Sequence, residues 1–202
     1  MSHYYDTNVD SKVKSEEFTF DVKLNELTYK FTSDNGIFSK DGLDRGTKVL
    51  LDALDLEPNK RSLDVGTGLG IIGIFLSKEY HHTVDMIDVN DRAIKLASLN
   101  AKNNKVIANV YISDFFEKVT GKFDYIISNP PIRIGKKKLY EFYRDAYDFL
   151  CDNGEFIIVI NKKHGALSTL EELKQIYDEV DVVNKKSGFY VLNCKKRLTI
   201  WH

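Results

Sequence analysis

Beyond Pro58, short apolar runs alternate with segments of helical spacing, a pattern that restricts a chain to a parallel sheet with helices on its faces. The spacing predicts strands at Ser62 to Val65, Thr83 to Asp88, Asn109 to Ser113, Phe123 to Ser128, Glu155 to Ile160, Val180 to Asn184 and Phe189 to Lys195. Between them Ala93, Leu96, Ala97 and Asn100 share one helical face, as do Leu139, Tyr143, Ala146 and Leu150. Ser168 followed by Glu171 has the form of a capping box opening a helix through Leu170, Leu173 and Ile176. Only Lys185 to Gly188 separates the last two strands, so they should form a closing hairpin. Ligands of such open sheets sit beyond the carboxyl ends of the strands.

Upstream the texture changes. Phe18 to Val22 and Leu27 to Phe31 alternate around Lys23 to Glu26, which reads as a β-hairpin or a pair of edge strands. From Gly42 to Leu54 the residues Val49, Leu50, Ala53 and Leu54 recur at helical spacing before Pro58. The division expected is an N-terminal β-rich extension over 1–35 and a catalytic domain over 36–202. A length of 202 residues, 43% hydrophobic, suits one sizeable core.

Two strand ends carry chemistry. Leu63-Asp64-Val65-Gly66-Thr67-Gly68-Leu69-Gly70 reads as a strand, a glycine-rich turn and a helix entered at Ile71, where backbone N–H groups can approach a ligand closely. Gly68, Gly70 and Gly73 also satisfy the dinucleotide pattern GxGxxG, and Asp88 lies at the distance expected for a ribose-binding acid. Taken alone, this stretch fits a nicotinamide site and an S-adenosylmethionine site equally.

The second strand end is Ser128-Asn129-Pro130-Pro131-Ile132, where consecutive prolines remove two N–H donors and stop the strand. An Asn oxygen beside a carbonyl held by rigid prolines can accept both hydrogens of a planar amine and draw out its lone pair. A hydride-transfer enzyme has no use for such an element. The plain alternative is a Pro-Pro terminator followed by a turn.

A net charge of −1 argues against nucleic-acid binding through bulk positive charge. The cations are instead grouped: Arg133, Lys136, Lys137 and Lys138 follow one strand end, and Lys162, Lys163 and His164 follow another. Such a rim could grip phosphates, although charge runs are commonly only solvated surface. Cys151 and Cys194 form neither a disulfide framework nor a metal site, and no metal is expected. The Met-Ser-His-Tyr-Tyr start lacks a basic leader and an apolar core of signal length, and no apolar run reaches spanning length. A reduced, cytoplasmic protein that does not engage a membrane is the expectation.

With these pieces in place the chain resembles the class I S-adenosylmethionine-dependent methyltransferases, in the small-domain branch that contains the ribosomal RNA guanine-N2 enzymes. The resemblance rests on Gly36-Ile37-Phe38-Ser39-Lys40, Asp44-Arg45-Gly46-Thr47, Asp64 to Gly70, Asp88-Val89-Asn90, Ser113-Asp114, Asn129 to Lys136 and Gly188 to Leu192. It implies a Rossmann-like α/β fold: a seven-stranded, mostly parallel sheet with helices on both faces, a closing antiparallel hairpin and the short N-terminal hairpin. The family's larger rRNA enzymes resemble a duplicated pair of such domains.

The resemblance also implies roles. Asp64, Gly66, Thr67, Gly68 and Gly70 would hold the methionine end of S-adenosylmethionine, with Thr47 and Lys40 folded over it. Asp88 and Val89 would meet the ribose, and Ser113, Asp114 and Phe115 the adenine. Asn129 would border the cofactor, and with Pro130, Pro131 and Ile132 form the catalytic element. Ile132 stands where many amino methyltransferases carry a stacking aromatic, and Phe38 is the candidate to replace it. The implied substrate is RNA, specifically ribosomal RNA or a ribosomal subunit, gripped by Arg133, Lys136, Lys137 and Lys138. Protein glutamine and DNA adenine methylation, and a silent RNA-binding assembly factor, are the alternative readings.

Overall fold

A computed structural model describes residues 17–34 and 42–198. Phe38 and Lys40 lie outside the described residues. Strands β1 (Glu17–Leu24) and β2 (Leu27–Asp34) pair antiparallel in full register from Leu24–Leu27 to Glu17–Asp34. Asn25 takes φ 50 in the two-residue turn, where the tight reversal requires left-handed backbone and Asn tolerates it.

The remaining order is α1 (Arg45–Leu51), β3 (Arg61–Val65), α2 (Ile71–Tyr80), β4 (Thr83–Asp88), α3 (Asp91–Asn103), β5 (Asn109–Ile112), β6 (Phe123–Ser128), α4 (Lys136–Phe149), β7 (Leu150–Asn161), α5 (Ala166–Ile176), β8 (Glu179–Lys186) and β9 (Phe189–Lys195). The seven strands lie in the order β5-β4-β3-β6-β7-β9-β8. Strands β3 to β7 pair parallel, and β9 is antiparallel to both β7 and β8. Ser187 and Gly188, at φ 52 and 81, make the tight turn that closes the last hairpin.

Both faces of the sheet are covered, which is why its central strands carry buried apolar residues on both sides. One core cluster joins Tyr125, Ile127, Ile157 and Val159 of the sheet to α1, α2, α3 and the N-terminal hairpin. The other joins Leu63, Val65, Ile126, Phe156 and Ile158 to α4 and α5. The hairpin is held to α3 by two amides one turn apart. Asn100 exchanges hydrogen bonds with the backbone of Thr32, and Asn104 with that of Lys30. They satisfy backbone groups that an edge strand would otherwise leave open.

Three local expectations are corrected. The helix expected from Gly42 to Leu54 is shorter, because Asp44 caps it by accepting the Thr47 N–H at 2.8 Å. Ser168 and Glu171 form no capping box: Gly165, at φ 90, caps α5 three residues earlier, and Ser168 donates back to the Gly165 carbonyl. Leu150 is buried as the helical face requires, but it opens β7 instead of closing α4.

Among the described residues no helix is long and apolar enough to cross a membrane.

Candidate active site

The chain order reverses at β3, whose neighbours are β4 and β6, and this switch point is where an open α/β sheet leaves a crevice. Ser128 donates to the Val65 carbonyl at 2.7 Å and draws the ends of β6 and β3 together. The two strand ends singled out in the sequence therefore stand side by side.

After β3 the N–H groups of Gly66 and Thr67 both donate to the Ile87 carbonyl at 2.9 Å, tying the loop to β4. The Gly68 N–H donates to Asp88 Oδ2 at 3.0 Å, and the Asn90 N–H to Asp88 Oδ1 at 2.9 Å. Asn90 caps α3 through the Arg92 N–H, so Asp88 is released from that duty and faces the crevice.

Asp64 lies beneath the loop and is fully buried. Its Oδ2 accepts from Thr67 Oγ1 at 2.5 Å and from the Gly73 N–H at 2.9 Å, while its Oδ1 has no partner. Burial pushes its carboxyl up to about 7, against the opposing pull of the Thr67 and Gly73 bonds. The carboxylate thus orders the loop from within. A Cβ on Gly73 would collide with Met86, so that glycine serves the close packing of α2 on β4.

Two cavities open at the strand ends. The larger, about 270 Å³, is lined by Gly66, Asp88, Val89, Ser113, Asp114, Phe115, Asn129 and Pro131, among others. The smaller, about 170 Å³, is lined by Asp44, Thr47, Gly66, Thr67, Leu69, Ile71, Ile72 and Asn129. Gly66 and Asn129 border both.

At the far end of the larger cavity Ser113 donates to the Phe115 carbonyl and accepts from the Lys118 N–H, building a turn in which Phe115 takes φ 47. A left-handed conformation is costly for a bulky side chain, and it turns the Phe115 ring onto Phe142 at 4.8 Å between centroids. The Asp114 carboxylate pairs with Lys138 at 3.1 Å. Lys138, grouped in sequence with the basic rim, is thus placed against the cavity wall, and its ammonium also lies over the Phe115 ring.

Asn129 ends β6. Its Nδ2 donates to Asp44 Oδ2 at 2.8 Å and to Thr47 Oγ1 at 3.0 Å, and its Oδ1 has no partner among the described residues. Pro130 is buried and Pro131 exposed. Ile132 opens a 3-10 turn and packs partly against the core under α4. Arg133, Lys136 and Lys137 are exposed just beyond.

Asp44 was not among the sequence candidates. Its signal was present: an Asp three residues before Thr47 is an N-cap pattern, hidden because the apolar spacing placed the helix start earlier. The described residues hold no group of three or more His, Cys, Asp or Glu arranged to bind a metal.

Residues 28–193 match the family model described as the methyltransferase small domain. An uncharacterized Bacillus subtilis protein, YbxB, is 41% identical over 200 residues, covering 96% of this chain and 98% of its own length. The ribosomal RNA small subunit methyltransferase C of Pseudoalteromonas atlantica is 33% identical over 198 residues, covering 93% of this chain and 57% of the relative. The chain spans about half the length of the relatives bearing that name. A T. thermophilus 16S rRNA N2 methyltransferase, solved in complex with AdoMet and guanosine, shares the fold with a TM-score of 0.80. That likeness covers 90% of this chain and 51% of the other, at 23% identity.

Proposed function

Since the chain belongs to the methyltransferase small domain family, we propose that it transfers a methyl group from S-adenosylmethionine to the exocyclic N2 amine of a guanine in ribosomal RNA. The observation that carries this reading is the place of Asn129. Its amide stands where the two cavities meet, with Nδ2 occupied by Asp44 and Thr47 and Oδ1 left for an incoming N–H.

The cradle fits such a donor. Gly66, at φ 71, has nothing within 4 Å of where a Cβ would stand, on the wall that both cavities share. A side chain there would fill the space a ligand needs to lie close to the backbone. Asp88 and Val89 would hold the ribose, and Ser113, Asp114 and Phe115 the adenine. Asp64, Gly66, Thr67, Gly68, Gly70 and Thr47 would frame the methionine end. When bound, S-adenosylmethionine supplies a methyl carbon made electrophilic by its sulfonium, and the electron pair of the breaking C–S bond stays on sulfur.

The protein's part is alignment and polarisation. Asn129 Oδ1 and the Pro130 carbonyl accept the two N–H groups of the guanine amine, which turns its lone pair toward the methyl carbon. As the N–C bond forms, positive charge grows on nitrogen and both hydrogen bonds strengthen. The surplus proton then leaves to water, so no strong base is needed. Arg133, Lys136 and Lys137 would contact RNA phosphates at the rim, and an rRNA acceptor sets the work in the cytoplasm.

Incubation with labelled cofactor and ribosomal subunits from a strain lacking the gene tests the reading. Mass spectrometry should map the label to N2-methylguanosine. Label on a protein glutamine, on DNA adenine or on no acceptor at all would overturn it.

A further inference from the structure

We propose that Asp44 is a positioning residue for methyl transfer: it fixes which end of the Asn129 amide faces the acceptor. This rests on the reading of Asn129 given above. An Asn amide is nearly symmetric in shape, yet only its oxygen can accept an N–H, so a flipped amide presents a donor to a donor. The structure removes that ambiguity from behind. Asp44 Oδ2 accepts from the Thr47 N–H at 2.8 Å, from Thr47 Oγ1 at 3.3 Å and from Asn129 Nδ2 at 2.8 Å. Because the Thr47 hydroxyl hydrogen goes to Asp44, its oxygen can only accept from Asn129, at 3.0 Å. Both groups behind the amide are therefore acceptors, and a flipped Asn129 would set its oxygen against a carboxylate with no hydrogen between them.

A second consequence is electronic. A carboxylate on Nδ2 pushes density through the amide to Oδ1, which makes that oxygen a better acceptor as charge grows on the reacting nitrogen. The contact joins residues 85 apart in the chain, so the cap of α1 and the end of β6 act as one unit.

Three variants test this. Asp44→Ser keeps a helix-capping oxygen but is too short to reach Asn129, Asp44→Ala removes both functions, and Asp44→Asn keeps the reach without the charge. With ribosomal subunits from the deletion strain as acceptor, Asp44→Ser should slow single-turnover methylation at saturating cofactor by up to about 100-fold, the cost of a misplaced group, while S-adenosylmethionine affinity changes far less. Asp44→Asn should recover part of the rate. In the Asn129→Ala background neither Asp44→Ser nor Asp44→Ala should slow the reaction further. Independently of any substrate, the Asn129 side-chain amide protons should exchange slowly in wild-type protein and quickly in Asp44→Ser.

A wild-type rate in Asp44→Ser, an equal further loss in the Asn129→Ala background, a loss confined to cofactor affinity, or unchanged amide exchange would each overturn the proposal. If Asn129→Ala itself reacts at the wild-type rate, the functional reading falls first and this one with it.

Discussion

The Asp88 carboxylate accepts the Gly68 N–H at 3.0 Å, so the acid that ends β4 also shapes the glycine loop that ends β3. The two strand ends are thus coupled through one carboxylate. On the proposed reading, removing Asp88 would take away a ribose contact and also free the glycine loop.

Asp88→Ala should therefore weaken S-adenosylmethionine binding by on the order of 3 kcal/mol, the value of two charge-assisted hydrogen bonds after desolvation. Calorimetric titration measures this. The same titration with NAD should give no saturable binding, and binding of NAD alone would point to a nicotinamide site.

The fold was legible because buried parallel strands announce themselves as apolar runs, and two of them end at a Gly or Pro. Gly66 and the Pro130-Pro131 pair marked two strand ends that the sheet order then set side by side. What stayed hidden depends on distant partners. Nothing near Lys138 indicates that it pairs with Asp114, 24 residues away, and nothing near Asp44 points to Asn129. The start of α5 was misplaced because the Ser168 and Glu171 pattern is local, whereas Gly165 sets the helix entry through its backbone.

That pairing of Lys138 alters what the basic rim should do in solution. Replacing Arg133, Lys136 and Lys137 should flatten the dependence of RNA affinity on log salt by about one unit for each lost phosphate contact. Lys138→Ala should leave the slope unchanged and disturb cofactor binding through Asp114. Filter binding across a salt series separates the two, and a slope unaltered by the triple replacement would make the rim ordinary surface.

Buried Asp64 sets a pH dependence. Its carboxyl is raised to about 7 from an ordinary 3.8, so the unfolded chain gives up that proton first. Below about pH 4 both states hold the proton and the group costs nothing; as pH rises towards 7 its ionisation favours the unfolded chain and folding stability falls. Asp64→Asn cannot ionise, so the melting temperature of wild type relative to this variant should drop between about pH 4 and pH 7 and level off above. A difference that is flat, or that grows in favour of wild type, would contradict the assignment.

If Asn129 aligns the acceptor amine for methylation, the single-turnover rate of Asn129→Ala at saturating S-adenosylmethionine reports it without intervening steps. On the proposed reading its oxygen would act chiefly as charge develops on the acceptor nitrogen. The rate should therefore fall by roughly 10² to 10³, as when one oriented polar group is removed from a transition-state site, while cofactor affinity stays nearly constant. A variant that methylates at the wild-type rate would reduce Asn129 to a strand terminator and contradict the mechanism.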